Sequence, residues 1–199
     1  MLAFDYENEA LGKGFCFVCG VDEAGRGPLA GPVCAAAVIL PAGCVIEGIN
    51  DSKKLSAKKR EALELVIKRE AVCFAVRMVD VATIDRINIL NASHLAMCEA
   101  VEALRPPADY ALVDGNMLPR GLKIPGVGIV GGDGISPSVA AASILAKVER
   151  DRFMAAQAAV YPGYSFEQHK GYGTQAHIRA LHALGPCGLH RRSFLRKIL

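Results

Sequence analysis

Three stretches of this chain share one design: a short apolar run that ends on an acid. They are Cys19-Gly20-Val21-Asp22-Glu23, Ala111-Leu112-Val113-Asp114-Gly115-Asn116 and Gly128-Ile129-Val130-Gly131-Gly132-Asp133-Gly134. Runs of this length and apolarity read as buried strands. Each therefore delivers a carboxylate where a strand meets a turn, and in α/β sheets such strand ends are where ligand sites gather. The first run delivers two adjacent acids. Two unit charges about 4 Å apart repel by roughly 4 kcal/mol at an effective dielectric of about 20. A fold keeps such a pair if a cation neutralises it or if one acid holds a proton.

The remaining punctuation sets the frame around these runs. Residues 15–22 and 32–40 are apolar strands separated by the Gly25-Arg26-Gly27-Pro28 turn, which predicts an antiparallel hairpin. A polar, basic loop over Asn50–Ser56 follows, and Ser56 caps a helix to about Glu70. Strand character returns over Ala71–Val79. Asp80 begins helical patterning that runs to Leu104, breaks near Asn88 and is ended by Pro106-Pro107. A short strand over Tyr110–Val113 and a weaker one over Leu122–Val130 precede a long helix from Pro137 to Val160. Thr174 caps a last helix ending near Gly185. This order predicts a mixed α/β sheet rather than a strict βαβ repeat. With 199 residues and no linker-like stretch, one domain is expected, with an α/β body over 15–160 and a helical C-terminal part over 161–199.

Composition matters for what it excludes. An apolar fraction of 52% against 22% charged residues fits a folded chain, not a disordered one. No apolar run reaches the length of a membrane span. The N-terminus lacks the basic and apolar regions of a signal peptide, so a cytoplasmic location is expected. The seven cysteines are odd in number and scattered, which speaks against a disulfide framework. Cys16-Phe17-Val18-Cys19 has C-x-x-C spacing, but it lies in a strand-like run with no second ligand pair. The net charge of +3 is unevenly spread. From Gln168 onward the basic residues Lys170, Arg179, Arg191, Arg192, Arg196 and Lys197 meet no acid. A basic segment beside an acid-bearing body suits a polyanion held over a metal site, although a solvated basic tail has the same composition.

Asp22, Glu23, Asp114 and Asp133 would together offer oxygen donors suited to Mg²⁺ or Mn²⁺. Two ions held this way suit phosphodiester hydrolysis. Asp-Gly pairs are also ordinary turn residues, so the argument rests on the joint pattern. Neighbours on a regular strand face opposite ways, so Asp22 and Glu23 reach one site only if the strand ends between them. Gly25-Arg26-Gly27 permits close backbone approach to a ligand such as a ribose 2′-hydroxyl, or is simply an exposed turn. Lys53 and Lys54, among hydroxyls, suit phosphate contacts. On the long helix, Ala141, Ile144, Leu145 and Val148 form an apolar stripe, while Ser143, Lys147 and Arg150 form a polar one facing nucleic acid or solvent. Tyr172, between two glycines, is placed to stack on a sugar or base, or to anchor a turn.

The stretches VDEAGRGPLAGPV, NDSKKLS, LVDGN, AAASILAKVERDR, YPGYSFEQHKGYGT and HRRSF occur in the order of ribonuclease HII, the type 2 ribonuclease H family, and the chain resembles that family from about Val18 to Phe194. The resemblance implies a ribonuclease H-like mixed five-stranded sheet with flanking helices and a small C-terminal helical part. It implies endonucleolytic cleavage of RNA in RNA–DNA hybrids, and incision 5′ to single ribonucleotides in DNA, leaving 3′-hydroxyl and 5′-phosphate ends. Carried onto this sequence, the metal ligands for two Mn²⁺ or Mg²⁺ ions fall on Asp22, Glu23, Asp114 and Asp133. The 2′-hydroxyl is read by Gly25, Arg26 and Gly27, a phosphate is met by Lys53, and the sugar beyond the junction packs on Tyr172. The family usually has Lys-Gly before its fourth acid; here Gly131-Gly132 precede Asp133, so one cation is missing there. The chain begins about twenty residues before the first acid, which fits ribonuclease HII better than ribonuclease HIII with its extra N-terminal domain. A monomer is expected. Two other readings remain open from the residues alone: a carboxylate nuclease acting on DNA, and a hybrid-binding protein without catalysis.

Overall fold

The computed structural model describes residues 2–196, 198 and 199; Lys197, one of the C-terminal cations, lies outside the described residues. Strand β1 (Val18–Ala24) and strand β2 (Val33–Ile39) form the expected hairpin, with Cys19 opposite Ile39 and Ala24 opposite Cys34. Helix α1 (Asp5–Gly12) precedes them and was not foreseen. A single 3₁₀ turn (Ser52–Lys54) and helix α2 (Ala57–Glu70) follow, the latter capped by Ser56, whose hydroxyl accepts the Lys59 N–H at 3.3 Å. Strand β3 (Cys73–Val79) pairs antiparallel with β2. Helices α3 (Val81–Ile87) and α4 (Ile89–Glu102) meet at Asn88, whose φ of 66° breaks the run. Strands β4 (Tyr110–Asp114) and β5 (Gly126–Ile129) come next. The expected fifth strand is real but shorter than 122–130. Helix α5 (Pro137–Val160) has its predicted bounds, and α6 (Phe166–His169), α7 (Gln175–Leu184) and α8 (Arg192–Leu195) complete the chain.

Among the described residues the sheet has five strands in the order β3-β2-β1-β4-β5. β1 runs parallel to β4, and β4 parallel to β5, while β1–β2 and β2–β3 are antiparallel. β2 is buried along its whole length, which its Val-Cys-Ala-Ala-Ala-Val-Ile sequence allows on both faces. One face packs on α4 through Val21, Ala35, Ala37 and Met97; the other packs on α2 and α5 through Ala36, Val38, Ile67 and Ile144. Helix α5 lies hard against β1 at Gly20, where a side-chain methyl carbon would sit 2.0 Å from the Ser138 carbonyl carbon. No helix among the described residues is long and apolar enough to cross a membrane.

The topology decides where the acids go. The C-terminal ends of β1, β4 and β5 point to one edge of the body, since these three strands are parallel. That edge carries Asp22 and Glu23, Asp114, and, in a 3₁₀ turn just after β5 (Gly132–Gly134), Asp133.

Candidate active site

Asp22 and Glu23 do not straddle a strand end, contrary to the expectation from their adjacency. β1 continues to Ala24 because β2 continues beside it, pairing Asp22 with Ala36 and Glu23 with Ala35. What stops is the other neighbour: the β1–β4 ladder closes at Val21–Val113. The next residue on each strand is an acid, Asp22 on β1 and Asp114 on β4, and the gap between the strands opens there. The Asp22 carboxylate accepts the Glu23 N–H at 2.6 Å. Asp114 accepts the Gly132 N–H at 2.8 Å, which ties the turn bearing Asp133 to the end of β4.

The charge relations connect all four acids. Burial pushes the Asp22 carboxyl well above the usual carboxylate range, and Glu23 and Asp114 push it further. Burial also raises Glu23; Arg26, donating to it at 3.3 Å, pulls it back, and Asp114 adds to the rise. Burial and then Asp114 and Asp51 raise Asp133 to about 6, with Lys53 opposing. Asp114 is thus the common neighbour of the other three. Lys53 Nζ stands 4.0 Å from Asp133, and the pull of Asp133, Asp22, Asp51 and Asp114 outweighs burial to raise its own pKa. Gly131 takes a left-handed φ of 67°, and a side chain there would meet only open space.

The donors fit a hard divalent cation: four oxygen-bearing acids, of which burial and like charge raise Asp22 and Asp133, and burial above all raises Glu23. Among the described residues no three His, Cys, Asp or Glu side chains already converge as a metal cage.

The substrate-reading candidates border the same edge. Gly25 follows β1 directly, with a φ of 98°, and is buried; Arg26 and Gly27 are exposed. Lys53 projects into solvent from the 3₁₀ turn, whose Asp51 carboxylate accepts the Lys53 N–H at 2.8 Å. Tyr172 is 40% exposed, and its ring is backed by Lys147 Nζ at 5.3 Å and the Arg150 guanidinium at 5.8 Å. Its carbonyl ends a hydrogen-bond relay. The Cys187 N–H donates to His190 Nδ1 at 3.0 Å, so His190 carries its proton on Nε2. It then donates to His177 Nε2 at 3.0 Å, and His177 donates from Nδ1 to the Tyr172 carbonyl at 2.9 Å.

Two of the three residues of the polar stripe of α5 are turned inward, and only Lys147, beside Tyr172, keeps some exposure. Ser143 is buried beside Asp22 and donates to Ser52 at 2.7 Å, while Arg150 is wholly buried. Helix α2, the 3₁₀ turn and the C-terminal part cover that side. Arg191 is likewise turned inward rather than toward a polyanion. Sequence reasoning placed Asp51 and Ser52 in the phosphate-contact loop without seeing that Asp51 acts on Asp133 and that Ser52 meets Ser143, and it missed His177 and the inward turn of Arg191.

Comparison with known proteins agrees with the geometry. The family model described as Ribonuclease HII matches residues 19–197. A Ribonuclease HII of Paracoccus denitrificans is 58% identical over 200 residues, covering 98% of this chain and 94% of that protein. One of Caldicellulosiruptor saccharolyticus is 55% identical over 196 residues, covering 98% and 95%. Among solved structures, the ribonuclease H2 from Pyrococcus horikoshii superposes with a TM-score of 0.76 at 25% identity, covering 92% of this chain and 97% of that one.

Proposed function

This chain belongs to the ribonuclease HII family, endoribonucleases that cleave the RNA strand of RNA–DNA hybrids, and we propose that it also incises 5′ to single ribonucleotides embedded in duplex DNA. The observation that carries the proposal is the continuity of β1: two acids at its end run without a break into the Gly25-Arg26-Gly27 turn. A carboxylate cluster and a ribose-reading backbone are thereby held in one fixed register.

In this reading Asp22, Glu23, Asp114 and Asp133 would hold two Mg²⁺ or Mn²⁺ ions. Ions bound there supply Lewis-acid activation of water and charge neutralisation at the phosphate. The chain's own groups do the rest. Backbone groups of Gly25–Gly27 bracket the 2′-hydroxyl, which both donates and accepts. Lys53 meets a phosphate oxygen, and Tyr172 packs against the next sugar. The products would carry 3′-hydroxyl and 5′-phosphate ends. The enzyme would act as a cytoplasmic monomer.

The test is a DNA duplex with one internal ribonucleotide, incubated with Mn²⁺ or Mg²⁺ beside a long RNA–DNA hybrid and an all-DNA duplex. Cutting 5′ to the ribonucleotide is expected, with the all-DNA duplex intact. Cleavage of the hybrid alone would refute the finer claim, and cleavage of all-DNA would favour a general carboxylate nuclease. Asp114→Asn should abolish cutting and keep duplex binding, since asparagine can still accept the Gly132 N–H.

A further inference from the structure

Two buried arginines flank the turn after β1: Arg150 in α5 and Arg191 just before α8. Both are without exposed surface. A buried guanidinium costs several kcal/mol unless its charge and its donors are met. Among the described residues, their hydrogen bonds all end on backbone carbonyls. Arg150 donates from Nε to Pro32 at 2.9 Å and from its two terminal nitrogens to Ala30 at 3.0 Å and Lys170 at 3.1 Å. Arg191 donates from Nε to Gly31 at 2.9 Å and from its terminal nitrogens to Gly25 at 2.6 Å and Arg26 at 3.0 Å. Asp151 and Asp85 act on them only through space.

These carbonyls belong to two segments. One is the stretch Gly25–Pro32, which begins with the reading turn. The other is Lys170, two residues before Tyr172, whose ring also lies over the Arg150 guanidinium. The chain reinforces the junction: Leu29 N–H donates to the Gly171 carbonyl at 2.8 Å, and Arg191 N–H donates to the Leu29 carbonyl at 2.9 Å. A guanidinium presents its donors in one rigid plane, so it fixes the carbonyls it meets relative to one another.

We propose that Arg150 and Arg191 are positioning residues that set the distance between the Gly25-Arg26-Gly27 turn and Tyr172, and with it the preference for a ribose followed by a deoxyribose. This rests on the proposed reading of single ribonucleotides. A lone ribonucleotide offers one 2′-hydroxyl, so the turn and the tyrosine must engage neighbouring sugars in a single register. A long RNA strand offers a hydroxyl at every position and tolerates a misplaced pair.

The test uses Arg150→Lys and Arg191→Lys, which keep the charge and lose the planar fork. On the single-ribonucleotide duplex, kcat/KM should fall by about 30-fold or more, chiefly in kcat, and on a long hybrid by about 3-fold or less. Parallel losses on both substrates would overturn the proposal. If wild-type protein cuts only the hybrid, the underlying reading fails, and hydrogen exchange in the free protein still tests the clamp. Amides of Leu29, Gly31 and Tyr172 should exchange about 10-fold faster in the variants, with β2 and α4 unchanged; uniform acceleration overturns it. Should neither variant fold, wild-type protein decides. Its slowly exchanging arginine side-chain N–H resonances should shift with a non-cleavable single-ribonucleotide duplex and stay fixed with all-DNA; no shift overturns the proposal.

Discussion

The two glycines of the reading turn look equivalent in sequence, and the structure gives them different physical burdens. Gly25 has a φ of 98°. A methyl carbon there would lie 2.1 Å from Arg150 Nε, 2.5 Å from its Cδ and 2.9 Å from the Pro32 carbonyl oxygen. Arg150 cannot retreat without releasing the carbonyls it holds. An alanine at this φ costs roughly 1–3 kcal/mol by itself, and each hydrogen bond from a charged donor that is lost adds roughly 1.5–3 kcal/mol. Gly25→Ala should therefore cost about 3–6 kcal/mol, a large part of the roughly 5–15 kcal/mol that holds a typical domain folded. Gly27 has nothing within 4 Å of the added methyl, so Gly27→Ala should change stability by about 0.5 kcal/mol or less. In the proposed reading its open space is left for the substrate. Gly27→Ala should weaken binding of a single-ribonucleotide duplex by about 10-fold, about 1.4 kcal/mol. Denaturant unfolding of the free proteins and fluorescence binding with a non-cleavable duplex measure both quantities. A Gly25→Ala protein within 1 kcal/mol (about 5-fold in the folding equilibrium) of wild type would refute the packing argument. A Gly27→Ala protein as unstable as Gly25→Ala would refute the division of labour.

Lys53→Ala should cost about 1 kcal/mol or less, because the side chain is exposed, yet lower duplex affinity and reduce the salt slope by about one; an unchanged slope would mean that Lys53 meets no phosphate. Burial, and then His177, push His190 down to about 4. A depressed imidazole pKa contributes stability that is whole above the ordinary 6.5 and is lost as pH falls from 6.5 toward 4, by roughly 3 kcal/mol. Unfolding free energies of wild type and His190→Asn between pH 7 and 4.5 check this, and equal pH slopes would contradict it. Gly20→Ala would place a methyl carbon 2.0–2.3 Å from Ser138 and Val139 backbone atoms. It should cost at least about 3 kcal/mol, since neither β1 nor α5 can give way cheaply; a fold retained with a near-native melting temperature would contradict the packing of α5 on β1.

Much of the molecule was legible one segment at a time. The hairpin, the Ser56 and Thr174 caps, the break at Asn88 and the bounds of α5 follow from apolar period, capping side chains and turn residues, all local signals. So does the design of three apolar runs that end on Asp22, Asp114 and Asp133. The sequence also held the family resemblance, since motif order survives without knowledge of contacts. Helix α1 was missed because it is short and no side chain caps its start, and β5 was drawn too long because its pairing with β4 begins only at Gly126.

Partners distant in the chain decided the rest. Whether β1 ends at Asp22 depends on β2 and β4, which disagree: one continues to Cys34 opposite Ala24, the other stops at Val113. Whether Ser143 and Arg150 face solvent depends on Ser52, Ala30, Pro32 and Lys170 closing over α5. A polar side chain at a given helical spacing has the same local preference whether it is buried or not. Its fate is set by the carbonyls that arrive to satisfy it, and those are brought by tertiary structure alone.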